Sequence, residues 1–255
     1  MIHPTAIIDP DARVADDAEI GPYCVIGPEV VIGPQCVISS HVVIKGQTVL
    51  GARNRIFQFA TVGEDCQDLK YSGEKTRLEI GNDNTFREGV TIHRGTVQDK
   101  ALTRIGDHNL FMAYSHVAHD CVIGNHCILA NQATLGGHVT IGDYAILGGL
   151  AAVHQFCHVG AHAMCGGGSI ITKDIAAFVM VTGNPAHTHG INAEGLRRRG
   201  FTPESIAALR DAYKRVFRSK RTLLEAIDEL RQEETLPEVD LFITSLQSSS
   251  RGITR

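Results

Sequence analysis

Residues 18–44 read AEIGPYCVIGPEVVIGPQCVISSHVVI. Every sixth residue is Ile (Ile20, Ile26, Ile32, Ile38, Ile44), and two residues before each stands a small or short side chain: Ala18, Cys24, Val30, Cys36, Val42. A period of six is neither the 3.6 of a helix nor the 2 of a simple strand, and a fixed period decides an architecture before any local reading. The beat extends back through Val14, Ile8 and Ile2 and forward through Leu50, Ile56 and Val62. It resumes at Ile80, Phe86 and Ile92. It then runs through Ile105, Phe111, Val117, Ile123, Leu129, Leu135, Ile141, Leu147, Val153, Val159 and Cys165 to Ile171.

Positions two apart in a strand share a face. Each hexad is therefore a short strand that sends one small and one large aliphatic side chain inward, followed by a turn. Gly21, Gly27, Gly33 and many later glycines follow the large residue. Gly is expected there to make the turn, through positive φ and close backbone approach. One such strand buries nothing alone; it has to stack on copies of itself, as in a solenoid. Three hexads would close a triangular coil of about eighteen residues. The period alone leaves two or three sides, and the hand, open.

Charge is nearly balanced, 24 Lys and Arg against 28 Asp and Glu, so nothing demands nucleic acid or a strongly charged partner. No long apolar run and no leader pattern at Met1–Pro10 is present, so a cytoplasmic protein without membrane insertion is expected. Cys24, Cys36, Cys66, Cys121, Cys127 and Cys157 are assigned to the small inward position, where a thiol packs as a small hydrophobe. There is no C-x-x-C pair for metal or redox work.

The repeat breaks twice. Between Val62 and Ile80 runs GEDCQDLKYSGEKTRLE (63–79), polar and charged. Between Ile92 and Ile105 runs HRGTVQDKALTR (93–104), a spacing of thirteen read as one residue more than two hexads. Long excursions from a solenoid tend to lie on its binding face, although a surface insertion is equally compatible. The expected organisation is a β-helix over 1–190 with loops at about 63–79 and 93–104, then an α-helical unit over 191–255. Residues 172–200 read as connecting turns. Thr202-Pro203-Glu204 is a helix start, and Thr222 with Glu225 is a capping box opening LLEAIDELRQEE (223–234). Pro237 starts a third helix, and the tail SSSRGITR has no strong preference.

Of thirteen histidines, nine crowd the second half of the repeat, from His93 to His162, and none is at the large inward position. Three uses are open. A His near its unperturbed pKa can take a proton from a sugar hydroxyl. His116-x-x-His119 could hold zinc, but i and i+3 on a strand face opposite ways unless a turn intervenes. Others are solvated and idle.

QDLKYSGE (67–74), TIHRGTV (91–97), HVAHDCVIGN (116–125), CILANQATLGGHV (127–139), AVHQFC (152–157) and INAEGLRRRGF (191–201) together resemble the bacterial UDP-N-acetylglucosamine O-acyltransferases. These belong to the hexapeptide-repeat acyltransferases. The resemblance covers essentially the whole chain. It implies a left-handed parallel β-helix, against the usual right-handed crossover, followed by a small α-helical unit. It implies a homotrimer with sites in the clefts between neighbours. It implies transfer of a 3-hydroxyacyl chain from acyl carrier protein to the 3-hydroxyl of UDP-N-acetylglucosamine in lipid A synthesis, with no metal and no cofactor.

The same resemblance assigns roles. His119 falls on the general base, Asp120 on a residue that orients it, and the Gly137 N–H on a donor to the thioester oxyanion. Gln67, Asp68 and Lys70 fall on contacts to sugar and donor. His93, His116, His138, His154 and Gln155 fall on substrate-contacting positions. Asn192, Glu194, Arg198 and Arg199 fall near the nucleotide and its phosphates. Gly167 falls where the family sets acyl length, and a Gly there predicts the longer chain class. The basic run from Arg197 to Arg199, with Lys214, Arg215, Arg218, Lys220 and Arg221, is either a docking surface for acidic acyl carrier protein or a solvated face. Family members acylating an amino sugar, and zinc-dependent hexapeptide carbonic anhydrases, are the rival readings.

Overall fold

The computed structural model describes residues 1–233 and 236–255. Its short strands form three sheets, of nine, eight and ten strands, and successive strands visit the three in rotation. Val25 pairs with Val43 and Val43 with Thr61, each eighteen residues on, in parallel. The hexads thus close a three-sided coil, which answers the question the period left open. Ile26, Ile32, Ile38, Ile44 and their successors fill the prism with Ala18, Cys24, Val30 and Cys36 between them, all buried. Phe86 and Phe111 stack inside it with centroids 4.8 Å apart.

Where the coil turns, the outcome differs from expectation. Apart from Gly63 (78°), positive φ falls not on the Gly after the large residue but two positions later, on residues such as Tyr23 (59°), Glu29 (60°), Gln35 (58°) and His41 (58°). The Gly is needed for the other reason: a Cβ on Gly33 would stand 2.5 Å from the Gly51 carbonyl oxygen of the next coil. Left-handed backbone at a non-Gly residue costs free energy, and stacking on the next coil offsets part of it. His108, His126, Tyr144, His162 and Phe178 form one such ladder, with successive centroids 4.8, 4.6, 4.8 and 5.2 Å apart. Several of the histidines are therefore rungs of an edge. A buried ladder also runs inside the coil: Asn109 N–H donates to Asn84 Oδ1 (2.9 Å) and Asn84 N–H to Asn54 Oδ1 (3.0 Å).

The two breaks are loops of unequal length. Thr61 pairs with Thr91, thirty residues on, so twelve residues leave the coil in the first. Thr91 pairs with His116, twenty-five on, so seven leave it in the second. The second is thus a seven-residue insertion between adjacent sides, not two hexads with one residue added. Cys66 lies in the first loop, outside the small inward position assigned to it, but is buried there; all seven cysteines are free. Burial pushes the thiols of Cys121, Cys127 and Cys165 up to about 12, so they pack as inert hydrophobes.

The prism continues past Ile171. Val179–Thr182 adds in parallel to Met164–Cys165, and His187–Ile191 closes the ten-stranded sheet in antiparallel. The helices are α1 (Ala193–Arg198), α2 (Pro203–Phe217), α3 (Leu223–Arg231) and α4 (Pro237–Gln247). The span 172–200, read as turns, therefore holds the last strand pair and α1. Asn192 caps α1 and accepts from Gly195 N–H, which lets six residues form a helix despite the internal glycine. Thr202 caps α2 and Thr222 with Glu225 forms the capping box of α3; the Glu234 end of that run lies outside the described residues. The tail is ordered by Asp174, whose Oδ2 accepts from Ser249 Oγ (2.8 Å), Ser250 N–H (3.0 Å) and Arg251 N–H (3.1 Å). Among the described residues no helix is long and apolar enough to cross a membrane.

Candidate active site

Both loops leave the prism at one edge, between the nine- and eight-stranded sheets. The turns 118–120, 136–138 and 154–156 lie on that same edge, one above another: His138 N–H donates to the His119 carbonyl and Phe156 N–H to the Gly137 carbonyl. The departures from regularity and the densest functional motifs therefore coincide in space. Gln67, Asp68, His93, His116, Ala118, His119 and Gln155 line an open groove of about 330 Å3 there.

His116 is on a strand, but His119 and Asp120 are turn residues. Asp120 takes the left-handed conformation (φ 58°), which removes the strand alternation that would separate neighbouring side chains. His119 Nδ1 lies 2.9 Å from Asp120 Oδ2. With Nδ1 engaged by the carboxylate, Nε2 is the ring atom left to accept a proton. Asp120 is fully buried at its side chain, and His119 13 % exposed. The second loop supplies the rest of the carboxylate's shell: Thr96 N–H is 3.0 Å from both oxygens and Thr96 Oγ1 donates to Oδ2 at 2.6 Å. Burial alone would raise the Asp120 pKa, but the hydrogen bonds from His119 and Thr96 outweigh it and hold the carboxyl below its ordinary value.

The His138 ring stands edge-on to His119 with centroids 5.0 Å apart. Its Nδ1 is 2.9 Å from Asp99 Oδ2, again from the second loop. Gly137 lies against the base. A Cβ there would meet His119 Cε1 at 2.5 Å and Nε2 at 2.7 Å, so only Gly leaves the ring in place. Among the described residues the Gly137 N–H has no hydrogen-bond acceptor. Across the groove, His116 Nδ1 is 2.7 Å from Thr91 Oγ1. Burial, and then the nearby His93, push His116 down to about 4. His93 is buried with Nδ1 unpartnered among the described residues, and burial also lowers its pKa. Both are neutral imidazoles at pH 7, able to donate or accept a hydrogen bond.

The other predicted residues fall in three places. Gln67 and Asp68 reach the groove, and Asp68 Oδ1 accepts from Lys70 N–H (2.9 Å), which fixes the tip of the first loop. Lys70 and His154 are exposed and do not line it. Gly167 lies in the turn entering the nine-stranded sheet, His119 in the turn leaving it, and the groove does not include Gly167. Asn192 and Arg199 sit at a third edge, on the ring ladder: Asn192 Nδ2 donates to the His162 carbonyl (3.0 Å) and Arg199 Nη2 to the Tyr144 carbonyl (2.8 Å). Glu194 pairs with Arg197 and with Arg198 (3.1 Å). Within one chain these four do not meet His119.

Thr96 and Asp99, which hydrogen-bond Asp120 and His138, are residues of the candidate site that the sequence reading passed over. Their signal was a polar pair inside a break of the repeat. His119, Asp120 and His138 also present ligand atoms within 4.8 Å of one another. In the structure those atoms are already spoken for: Asp120 holds Thr96 and His119, and His138 Nδ1 holds Asp99. The donor set fits a hydrogen-bonded acid–base pair better than a metal.

A family model described as bacterial transferase hexapeptide (six repeats) matches residues 1–34, 11–46 and 102–137. One described as UDP N-acetylglucosamine O-acyltransferase, domain 2, matches residues 174–254. An acyl-[acyl-carrier-protein]–UDP-N-acetylglucosamine O-acyltransferase of Stutzerimonas stutzeri is 59 % identical over 82 % of this chain and 81 % of its own. Two solved structures superpose on the full chain and on 99 % of their own: LpxA of Acinetobacter baumannii (55 % identity, TM-score 0.97) and a UDP-N-acetylglucosamine O-acyltransferase of Moraxella catarrhalis (52 %, 0.98). The fold is the left-handed parallel β-helix with C-terminal helices, the scaffold of the hexapeptide acyltransferases. The chain belongs to the UDP-N-acetylglucosamine O-acyltransferase family.

Proposed function

We propose that the protein transfers a 3-hydroxyacyl chain from acyl carrier protein to the 3-hydroxyl of UDP-N-acetylglucosamine, a step of lipid A synthesis in the cytoplasm. The observation that carries this reading is the His119–Asp120 pair, 2.9 Å apart, with His119 lining a groove beside Gln67, Asp68, His93, His116 and Gln155. His119 Nε2 takes the proton of the sugar hydroxyl as its oxygen attacks the thioester carbonyl. The carbonyl becomes a tetrahedral oxyanion, for which the free Gly137 N–H is a donor. Collapse breaks the C–S bond, and the thiolate of the carrier leaves with the proton held on His119. Asp120 stabilises the imidazolium that exists between those two transfers.

Asp68, Gln67, His93 and His116 hold the acceptor sugar. The unpartnered His93 Nδ1 gains a hydrogen bond when a hydroxyl enters. Three copies assemble as a homotrimer, and the half-exposed apolar row Leu110, Ile128, Ile146, Met164 and Met180 on the ten-stranded sheet supports burial against a neighbour. A trimer also gives Asn192, Glu194, Arg198, Arg199 and Gly167 a route to the groove, since they stand on other edges of their own prism. Arg210 and Lys214 on α2, with Arg218 at its C-terminal cap, form no ion pair among the described residues, whereas Arg215 and Arg221 are spent on Asp211, Glu229 and Glu233. The free three are the stronger anchors for an acidic carrier protein.

An acyl-transfer assay with UDP-N-acetylglucosamine and 3-hydroxyacyl carrier proteins of several lengths tests the reading. Ester product is expected, with the longer chains preferred because each buried methylene contributes about 0.8 kcal/mol and no side chain blocks Gly167. Absence of product, or turnover that requires added zinc, refutes it.

A further inference from the structure

We infer that Arg94 is a positioning residue, a buried cation that clamps the first loop over the groove; this rests on the acceptor-binding role proposed for that loop. Arg94 follows His93 directly, and its side chain is only 9 % exposed. It runs back from the second break to the base of the first. Its Nη1 donates to the Gly63 carbonyl, where the first loop leaves the coil. Its Nη2 donates to Asp65 Oδ1 and lies 3.0 Å from Tyr71 Oη. Tyr71 Oη in turn donates to Asp65 Oδ1 (3.0 Å) and approaches the Glu74 carbonyl (3.2 Å). Both stems of the loop, at 63–65 and at 71–74, are therefore tied to one guanidinium.

Gly46 makes room for the clamp. A Cβ there would collide with the Arg94 guanidinium, so the coil below is shaped to receive the side chain. The Arg94 N–H also donates to the Glu64 carbonyl (3.1 Å). Between the two tied stems the chain has one structured feature, the turn in which Asp68 accepts from Lys70 N–H and Tyr71 N–H reaches the Asp68 carbonyl. That turn carries Gln67 and Asp68 into the groove. A twelve-residue insertion would otherwise pay much conformational entropy on ordering at substrate binding. A planar cation with several fixed donors supplies that order beforehand, which a lysine cannot match.

The consequence is a split in kinetics. Arg94 touches neither His119 nor Asp120, so its loss weakens acceptor binding and leaves the proton-transfer step intact. Arg94→Met and Arg94→Lys are compared with the native protein for KM of UDP-N-acetylglucosamine, kcat, the pH dependence of kcat, and the rate of tryptic cleavage at Lys70 and Lys75. We expect about a tenfold or greater rise in KM for Arg94→Met, partial recovery in Arg94→Lys, an unchanged pH profile, and severalfold faster cleavage that saturating UDP-N-acetylglucosamine slows. Tyr71→Phe gives a smaller rise of the same kind, and stands in if Arg94→Met does not fold. Unchanged KM in Arg94→Met, with Asp68→Ala raising it, overturns the inference. So does a fall in kcat with KM unaltered. Failure of the parent reading is separate: there the native protein itself shows no transfer to UDP-N-acetylglucosamine.

Discussion

His119 and Asp120 are chain neighbours whose side chains meet, Nδ1 to Oδ2, at 2.9 Å. Neighbours on a strand face opposite ways; these meet because Asp120 occupies the left-handed corner of the coil. The turn that closes the scaffold thus also builds the acid–base pair. Asp120→Asn keeps the shape and removes the charge. We expect kcat to fall by about 10²–10⁴, the range for a general-base contribution, with His119→Ala at least as severe. Single-turnover transfer measures both, and unchanged thermal melting shows that the loss is chemical.

Gly137→Ala moves the base without touching its chemistry. The added methyl would press on His119 Cε1 and Nε2 at 2.5 and 2.7 Å, and the ring has to give. A displacement near 1 Å costs about 10²-fold in rate. The loss should appear in kcat, with KM for the acceptor moving little. Wild-type turnover in Gly137→Ala would show that the ring position is not critical.

Thr96 supports Asp120 from outside the repeat. Thr96→Val deletes the 2.6 Å bond to Oδ2 and keeps the N–H contacts. A buried carboxylate that loses a donor costs about 1–3 kcal/mol. The sign follows from linkage: hydrogen bonding holds the Asp120 pKa below its unfolded value, so this stability is present above that unfolded value and is lost as pH falls through the folded one. Urea unfolding at pH 7 should show the full deficit of Thr96→Val. The gap should narrow as acid protonates Asp120 in both proteins.

The scaffold was legible because each hexad repeats one physical task, and the capped helix starts at Thr202 and Thr222 because caps are local. Three things were hidden. Val62 and Ile80 are eighteen apart, the length of a whole coil, so counting could not distinguish an excursion from a degenerate coil; only the pairing of Thr61 with Thr91 does. The corner conformation fell on Tyr23 and His41 rather than on the glycines that follow the large residue, because closing the three-sided coil sets which position turns, and a single hexad does not show that. The support of the site by Thr96, Asp99 and Arg94 joins segments that are far apart in the chain, and no spacing records it. His119 itself was legible only through the resemblance of its motif, since the ring ladder gives other histidines an equally regular place.

His162 tests that distinction between structural and chemical histidines. It lies in the ladder between Tyr144 and Phe178, with Phe201 edge-on at 5.1 Å and Arg199 Nη1 at 3.3 Å from its Nδ1. Burial, then the Arg199 charge, push its pKa down to about 4. The native state therefore binds fewer protons than the unfolded chain between about pH 4 and the ordinary His value near 6.5. Stability is full above that window and falls as pH drops through it. The side chain retains solvent contact, so screening leaves this worth about 1 kcal/mol. His162→Phe keeps the stack and removes the titration. Its melting temperature should fall less than the native protein's between pH 7 and pH 4, by about 2–4 °C. Acyl transfer at pH 7 and saturating UDP-N-acetylglucosamine should be retained, because His162 touches neither His119 nor Asp120; the lost contact to Arg199 is read in KM.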